Sequence, residues 1–343
     1  MDAPSDSDSA ATQPTPTQRV EELWFSDGNL IIQAGSSQFR VYRGILASRS
    51  PVFQDMLSFP QPPDSELVDG CPFVSLPDSE MEVRVFLKAI FDPEFFPPFP
   101  SPTEFAIAAG CLRLSHKYGV EYLHRRALVH LTSGCDTKLQ RWDTASSIWD
   151  RSNGDVDVDR IALSDIVSWD WSTDSAALEI YAIQLFQEVD ASWLLPNVFY
   201  NLSSSFEQGY DIFSGATYNG VFSTLSARDL KSFTKGHALR LYHPLCMFCG
   251  TVHGNGRYTK DASGSTLTFR SPMSVWENDG SWEMLEGLCA VCLPALRANY
   301  RSTRQAFWDQ LPQMYDLPPW EELEQVKTAA IGSSFMPRPT KVS

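Results

Sequence analysis

Basic residues are the scarce class in this chain: 27 Lys and Arg stand against 42 Asp and Glu over 343 residues, a formal charge of −15. A surface this acidic repels a phosphate backbone, which excludes nucleic-acid binding by its bulk. Long apolar runs are missing as well. None approaches the ~18 residues that a membrane span needs, so no membrane partner is expected. The opening "MDAPSDSDSAATQPTPTQ" lacks the basic and apolar regions of a signal peptide and reads as a disordered tail over residues 1–19. G-x-S-x-G, Walker A, G-x-G-x-x-G and H-E-x-x-H patterns are absent, and no catalytic constellation stands out, so no enzyme activity is expected.

Cysteine is sparse and odd in number: Cys71, Cys111, Cys135, Cys246, Cys249, Cys289 and Cys292. With no export signal, this usage fits a reducing compartment, cytoplasm or nucleus, where free thiols or metal ligands are expected over disulfides. The last four form two C-x-x-C pairs, "CMFC" and "CAVC". Two intervening residues let both thiolates turn toward one ion, and two such knuckles complete a tetrahedral Cys₄ zinc shell. The spacing therefore predicts one structural zinc on Cys246, Cys249, Cys289 and Cys292. The 39 residues from 250 to 288 exceed the roughly 15–20 of the common pattern, so His243 or His253 could replace one cysteine. Four unrelated buried thiols or a redox pair are the other readings of the same residues.

What is present is a strand-rich start followed by helical periodicity. Turn signals at Ser26–Asn29 and Ala34–Ser37 bracket Leu30-Ile31-Ile32, and Phe39–Tyr42 follows, a hairpin signature. "RGILASR" reads as a short helix, and Ser50-Pro51 starts another, with Ser as N-cap and Pro at the first helical position. "FPQPPDSE" is a loop and "PFVSLPD" a strand. Ser79 with Glu82 makes a capping box, ahead of an apolar stripe at Val83, Phe86, Leu87 and Ile90. After the Pro-rich break at 92–102, Phe105, Ala108, Ala109 and Leu112 mark a helix ending at Gly119, a good C′ residue. Another helix opens at 120–131. Further helices are predicted over 136–150, 174–190, 226–243 (with Ser226 and Asp229 as a capping box) and 290–311, with weak strand character at "STLTF". Trp142, Trp149, Trp169, Trp171 and Trp193 read first as core, second as a ligand groove. Residues 329–343 read as tail.

Read by residue order, 24–131 is an α+β domain, and it resembles the BTB/POZ fold. Asp27 opens the pattern. Leu46, Ala47, Ser50 and Phe53 keep the spacing of the family's Leu-(Ala/Ser)-x-x-Ser-x-x-Phe block. "GCPFVSLPDSEMEVRVFLKAIFDPEFF" and "CLRLSHKYGVEYLHRRALVHL" look like the later strand and helices of the large BTB families of mushroom-forming fungi. Tyr42 stands where the family's usual His precedes this block; it keeps an aromatic body with a hydrogen-bonding tip. The resemblance implies a small sheet flanked by helices over 20–135, followed by a mainly α-helical region over 136–328. It implies a protein–protein interaction module that self-associates as a homodimer or captures a protein partner. It also implies that Asp27 and Arg43 line a charged pocket used by co-repressors. By themselves the two residues read as a turn cap and a solvated cation. The hydrophobic-x-Glu motif that accompanies cullin-3 binding is absent as written, because Asp64 stands two places before Glu66; cullin-3 is not expected as a strong partner. The alternative role is a transcription-linked or ubiquitin-ligase adaptor factor with a metal-stabilised C-terminal module.

Overall fold

A computed structural model describes residues 17–59, 67–143, 176–207, 209, 211–242, 273 and 292–332. Strand β1 is Gln18–Trp24, β2 is Leu30–Ala34 and β3 is Ser37–Val41. The apolar residues of β2 and β3 supply one wall of the core, with Leu30, Ile32, Phe39 and Val41 fully buried. The two strands pair antiparallel with Ala34 opposite Ser37. So tight a reversal calls for a left-handed residue, and Gly35 supplies it at φ 54°. The Glu80 carboxylate then clamps the turn, accepting the Ser36 amide at 3.1 Å and the Ser36 hydroxyl at 2.9 Å. β4 (Leu67–Val68) and β5 (Cys71–Leu76) complete a five-stranded sheet of order β1-β3-β2-β5-β4. Its β1–β3 and β2–β5 pairs are parallel, and its other two pairs are antiparallel.

Helices α1 (Arg43–Arg49) and α2 (Pro51–Ser58) lie between β3 and β4. The sheet is then covered by α3 (Glu80–Phe91), α4 (Phe105–Tyr118) and α5 (Glu121–Ser133). Every member of the two stripes expected in α3 and α4 is buried. α4 ends on Gly119 at φ 68°. A side chain there would meet Pro51 Cγ at 3.1 Å, so this glycine also lets α2 sit close against the α4–α5 corner.

The second half contains α6 (Ala176–Glu188), a single 3-10 turn (Ser192–Leu194) and α7 (Leu195–Glu207). A small antiparallel hairpin follows, β6 (Ala216–Tyr218) with β7 (Val221–Ser223). Then come α8 (Ala227–Tyr242), α9 (Cys292–Met314) and α10 (Trp320–Ile331). The Ser226–Asp229 box forms: Ser226 Oγ accepts the Asp229 amide at 3.1 Å and donates to Asp229 Oδ2 at 2.6 Å. The architecture is α+β, and no helix among the described residues is long and apolar enough to cross a membrane.

Several boundaries differ from those expected. β1 begins at Gln18, inside the segment read as tail. Its Gln-Arg-Val-Glu-Glu sequence hides the strand, which is fixed by pairing, with the Gln18 amide donating to Ser36 O at 2.7 Å. α10 runs to Ile331, inside the second expected tail, because Ile331 is buried and its carbonyl accepts a hydrogen bond from Arg125 at 3.0 Å. The 136–150 helix is described only as far as 143, and it is helical from 139. "STLTF" lies outside the described residues. α7, α10 and the β6–β7 hairpin carried no distinct sequence signal.

The Ser79–Glu82 capping box does not form. Ser79 stands at the N-cap of α3, but its side chain makes no cap bond. Glu82 instead turns into the core. Its Oε1 accepts from Arg113 Nη1 at 2.7 Å and from the Tyr181 hydroxyl at 2.6 Å. The Arg113 guanidinium lies 4.5 Å from the centre of the Tyr181 ring, and its Nε donates to Glu188 at 3.0 Å. The magnitudes decide the competition. A cap is worth about 1 kcal/mol, whereas stripping a buried charge of its partner costs about 3–5 kcal/mol. This network joins α3 and α4 to α6, across the boundary expected at 135. Around it Phe105, Tyr181 and Tyr218 pack at centroid distances of 5.3–6.3 Å. Trp193 donates its indole N–H to Thr132 at 3.0 Å, and Asn197 donates to the Asp136 carbonyl at 2.8 Å. One continuous apolar cluster runs from Val20 to Ile331. Glu82→Ala should therefore lower stability by about 3–5 kcal/mol in urea titration. Replacing both members, as Glu82→Leu with Arg113→Met, should cost less than Glu82→Ala alone. A loss from Glu82→Ala under about 1 kcal/mol would show that the pair is solvated and does not tie the halves.

Candidate interaction surface

The corner at residues 42–59 is held from both sides. Ser50 separates α1 from α2; its Oγ accepts the Phe53 amide at 3.0 Å and donates to the Tyr118 carbonyl at 2.5 Å. Phe53 stacks on Tyr118 with ring centroids 4.6 Å apart, and the Tyr118 hydroxyl donates to Asp78 at 2.5 Å. The sequence block Leu46…Ser50…Phe53 is thus a corner piece: Leu46 and Phe53 are buried and Ser50 locks the joint.

The opposite side of the corner faces water and mixes polar residues, among them Ser48, Gln54 and Asp55, with apolar ones. Ile45 on α1 is 41% exposed, Val52 on α2 is 41% exposed, and Phe59 just after α2 is 69% exposed. Val52 lies beside Gly119, and Arg49 covers the half-exposed Tyr122 ring at 5.4 Å. Val52 and Tyr122 thus lie near the start of α5 with Arg49 over the Tyr122 ring, and Ile45 lies one helical turn before Arg49 on α1. The sequence did carry a signal for this exposure. Ile45 and Val52 are apolar residues that fall off the stripe of Leu46, Phe53 and Leu57.

Asp27 and Arg43 both lie exposed at the neighbouring end of the sheet, each with its own local partner. Asp27 Oδ1 accepts the Tyr42 hydroxyl at 2.7 Å. That hydrogen bond holds the Asp27 carboxyl below its ordinary value and pushes the Tyr42 hydroxyl up. The Arg43 amide donates to Asn29 at 2.8 Å, and the Arg43 guanidinium reaches the Leu57 carbonyl. The tip of Tyr42 thus keeps a hydrogen bond to Asp27, without the titration near neutrality that an imidazole would bring.

Elsewhere the described residues among the expected Trp cluster and the first three cysteines sit in packing roles. Trp193 is buried; Trp142 lies edge-on to Tyr200 at 6.0 Å and 5.9 Å from Trp308, which stacks on Trp320. Trp149, Trp169 and Trp171 lie outside the described residues. His130 is buried with Nε2 2.9 Å from the Pro97 carbonyl, while His116 is exposed. Cys71, Cys111 and Cys135 are free and buried, and burial pushes the Cys111 and Cys135 thiols well up, away from nucleophilic use. Of the expected zinc ligands, Cys246, Cys249 and Cys289 lie outside the described residues. Cys292 begins α9, and its side chain lies outside them too. Glu66 of the cullin-type loop is likewise outside.

No protein-family model matches the chain, and no curated protein or solved structure matches it either. The site's geometry therefore stands on its own.

Asp136 is the carboxyl with the largest upward displacement among the described residues. It follows α5, 4% exposed, with Oδ1 3.2 Å from Arg141 Nε. Burial pushes it up to about 7, outweighing Arg141 and Lys327, while Glu324 adds to the rise. Ion-pair geometry and a raised carboxyl oppose each other here. Desolvation wins because Arg141 is itself partly in water. A raised carboxyl favours the folded state when protonated, so its contribution is complete below its ordinary 3.8 and is lost as pH rises to about 7. Asp136→Asn keeps the neutral form at every pH. The variant should melt above the wild type at alkaline pH, and the difference should close on acidification through that window. Parallel melting curves across the window would show that Asp136 ionises freely in the folded chain.

Proposed function

We propose that this chain is a non-catalytic protein–protein interaction protein that works through its sheet-containing half, in the manner of a BTB/POZ domain. The observation that carries this reading is the exposure of the apolar residues Ile45, Val52 and Tyr122 on and beside the corner built by the Leu46–Ser50–Phe53 block. Apolar side chains fixed on a rigid, hydrogen-bonded corner suit a contact surface, since little ordering entropy is lost when a partner covers them. Self-association through α1 and α2 is the first form of contact this surface supports. Capture of a different protein uses the same residues. Ile45→Asp combined with Val52→Asp places two carboxylates on the exposed side without touching the buried stripe. The wild type should sediment as a dimer in analytical ultracentrifugation and the double variant as a monomer of unchanged melting temperature. A double variant that still dimerises would move the contact away from this corner.

The alternative reading is a transcription-linked or ubiquitin-ligase adaptor factor whose C-terminal half is held by a metal. What favours it is the pair of C-x-x-C motifs at Cys246, Cys249, Cys289 and Cys292. A closed Cys₄ shell would stabilise and not catalyse, since no coordination position stays open. Protein purified without added metal should carry one zinc per chain by elemental analysis, and Cys289→Ser should abolish it. Metal-free protein whose melting ignores a strong chelator would remove the zinc.

A further inference from the structure

A cleft of about 490 Å³ opens in the helical half, between α6, α7, the start of α8 and the turn from α9 to α10. Phe186, Leu195, Phe199 and Tyr315 line it and are all buried. Phe199 and Tyr315 stack at 5.1 Å. The exposed Val326 lies at its mouth. The four buried side chains form its closed floor, and the apolar groups that reach its open side are Leu317, Pro318 and Val326.

Its rim carries an aspartate at each of two helix ends. α6 and α9 both end at this cleft, and both end on the same motif. After α6 the Ala191 amide donates to Phe186 O, and after α9 the Leu317 amide donates to Pro312 O. Each closure places one residue in the left-handed region, where Gly is the ordinary occupant. Here both are aspartates, Asp190 at φ 56° and Asp316 at φ 58°. A carboxylate at a helix C-terminus adds to the negative end of the helix dipole, and neither helix has a basic residue in its last turn to offset it. Asp229 also lines the cleft, but it is buried and committed to capping the start of α8, accepting from Ser226 and Gln187, and Arg228 adds a guanidinium beside it. Asp190 has no side-chain partner among the described residues. Asp316 already seats an ammonium, because Lys235 pairs with its carboxylate and also donates to the Gln313 carbonyl at 3.3 Å.

We propose that this cleft receives a short segment of a partner protein carrying Lys or Arg beside an apolar side chain. The apolar group lies against Leu317, Pro318 and Val326 on the open side, and the cation meets Asp190 and the negative ends of α6 and α9. The Lys235–Asp316 pair is the chain's own instance of that contact. This site is independent of the α1–α2 contact and survives or fails without it.

Fluorescence anisotropy on the full chain tests it. The probe is a fluorescein-labelled Gly-Ser-flanked peptide with the core Phe-Lys-Leu-Arg; its controls have Ser-Lys-Ser-Arg and Phe-Glu-Leu-Glu. The first should bind, and both controls should bind at least about tenfold more weakly. Asp190→Lys should weaken the Phe-Lys-Leu-Arg probe by about tenfold or more, and Arg228→Glu should strengthen it. Both positions are exposed, and unchanged melting of each variant confirms folding. Equal binding of the Ser-Lys-Ser-Arg probe would reduce the effect to attraction by the chain's overall −15 charge and overturn the proposal. So would failure of the Phe-Lys-Leu-Arg probe to bind, or indifference to both substitutions.

Discussion

A guanidinium cannot be buried alone, and the fold is arranged around that constraint at Arg113. Its side chain is 10% exposed. Burial works against its charge, and Tyr181, Glu82 and Glu188 together outweigh that, leaving it firmly protonated. Glu82 comes from α3, Arg113 from α4, and Tyr181 and Glu188 from α6. The same contact therefore fixes the spacing of two helices over the sheet and the seat of the first helix of the second half. It also places Tyr181 where Phe105 and Tyr218 can pack on it. The β6–β7 hairpin is positioned by that aromatic contact, having only three residues in each strand and too little pairing to hold itself. The seam at the other end, Trp193 on Thr132 and Asn197 on the Asp136 carbonyl, makes the chain's two halves share one interior.

This rigidity bears on function. The proposed α1–α2 contact and the proposed cleft contact lie on different halves of a body with a continuous core, so each can be tested without the other. The ionisable side chains displaced furthest, Cys111, Tyr118, Cys135 and Tyr181, are raised chiefly by burial in that interior, as is the Asp136 carboxyl.

Much of the sheet-containing half was legible in the sequence. The turn residues at 26–29 and 34–37, the Ser50-Pro51 start, the stripes of α3 and α4 and the Gly119 stop are local signals, and each is borne out. β1 was not legible, because a strand that alternates Val and Leu with Gln, Arg and Glu resembles an exposed tail until β3 is beside it. Helix α7 carries Pro, Asn and three consecutive serines, which locally favour turns; tertiary burial of Val198, Phe199 and Leu202 overrides them. α10 escaped for the same reason, its buried face being only Leu323, Lys327 and Ile331.

The residues by themselves thus determined where the chain turns, which faces of α3 and α4 are apolar, and which block forms the strand-to-helix corner. Those depend on neighbours a few positions away, whose geometry is set by backbone periodicity. The structure decided what local pattern could not. Ser79 and Glu82 spell a helix cap, yet Glu82 abandons it for Arg113, which lies 31 positions away. Ile45 and Val52 read as ordinary apolar residues until packing leaves 41% of each exposed. Asp190 and Asp316 lie far apart in sequence and become neighbours of one cleft only when α6 and α9 end side by side. Burial and long-range charge are properties of the assembled chain, and they overrule a local preference whenever the desolvation at stake exceeds the roughly 1 kcal/mol that a cap or a propensity supplies.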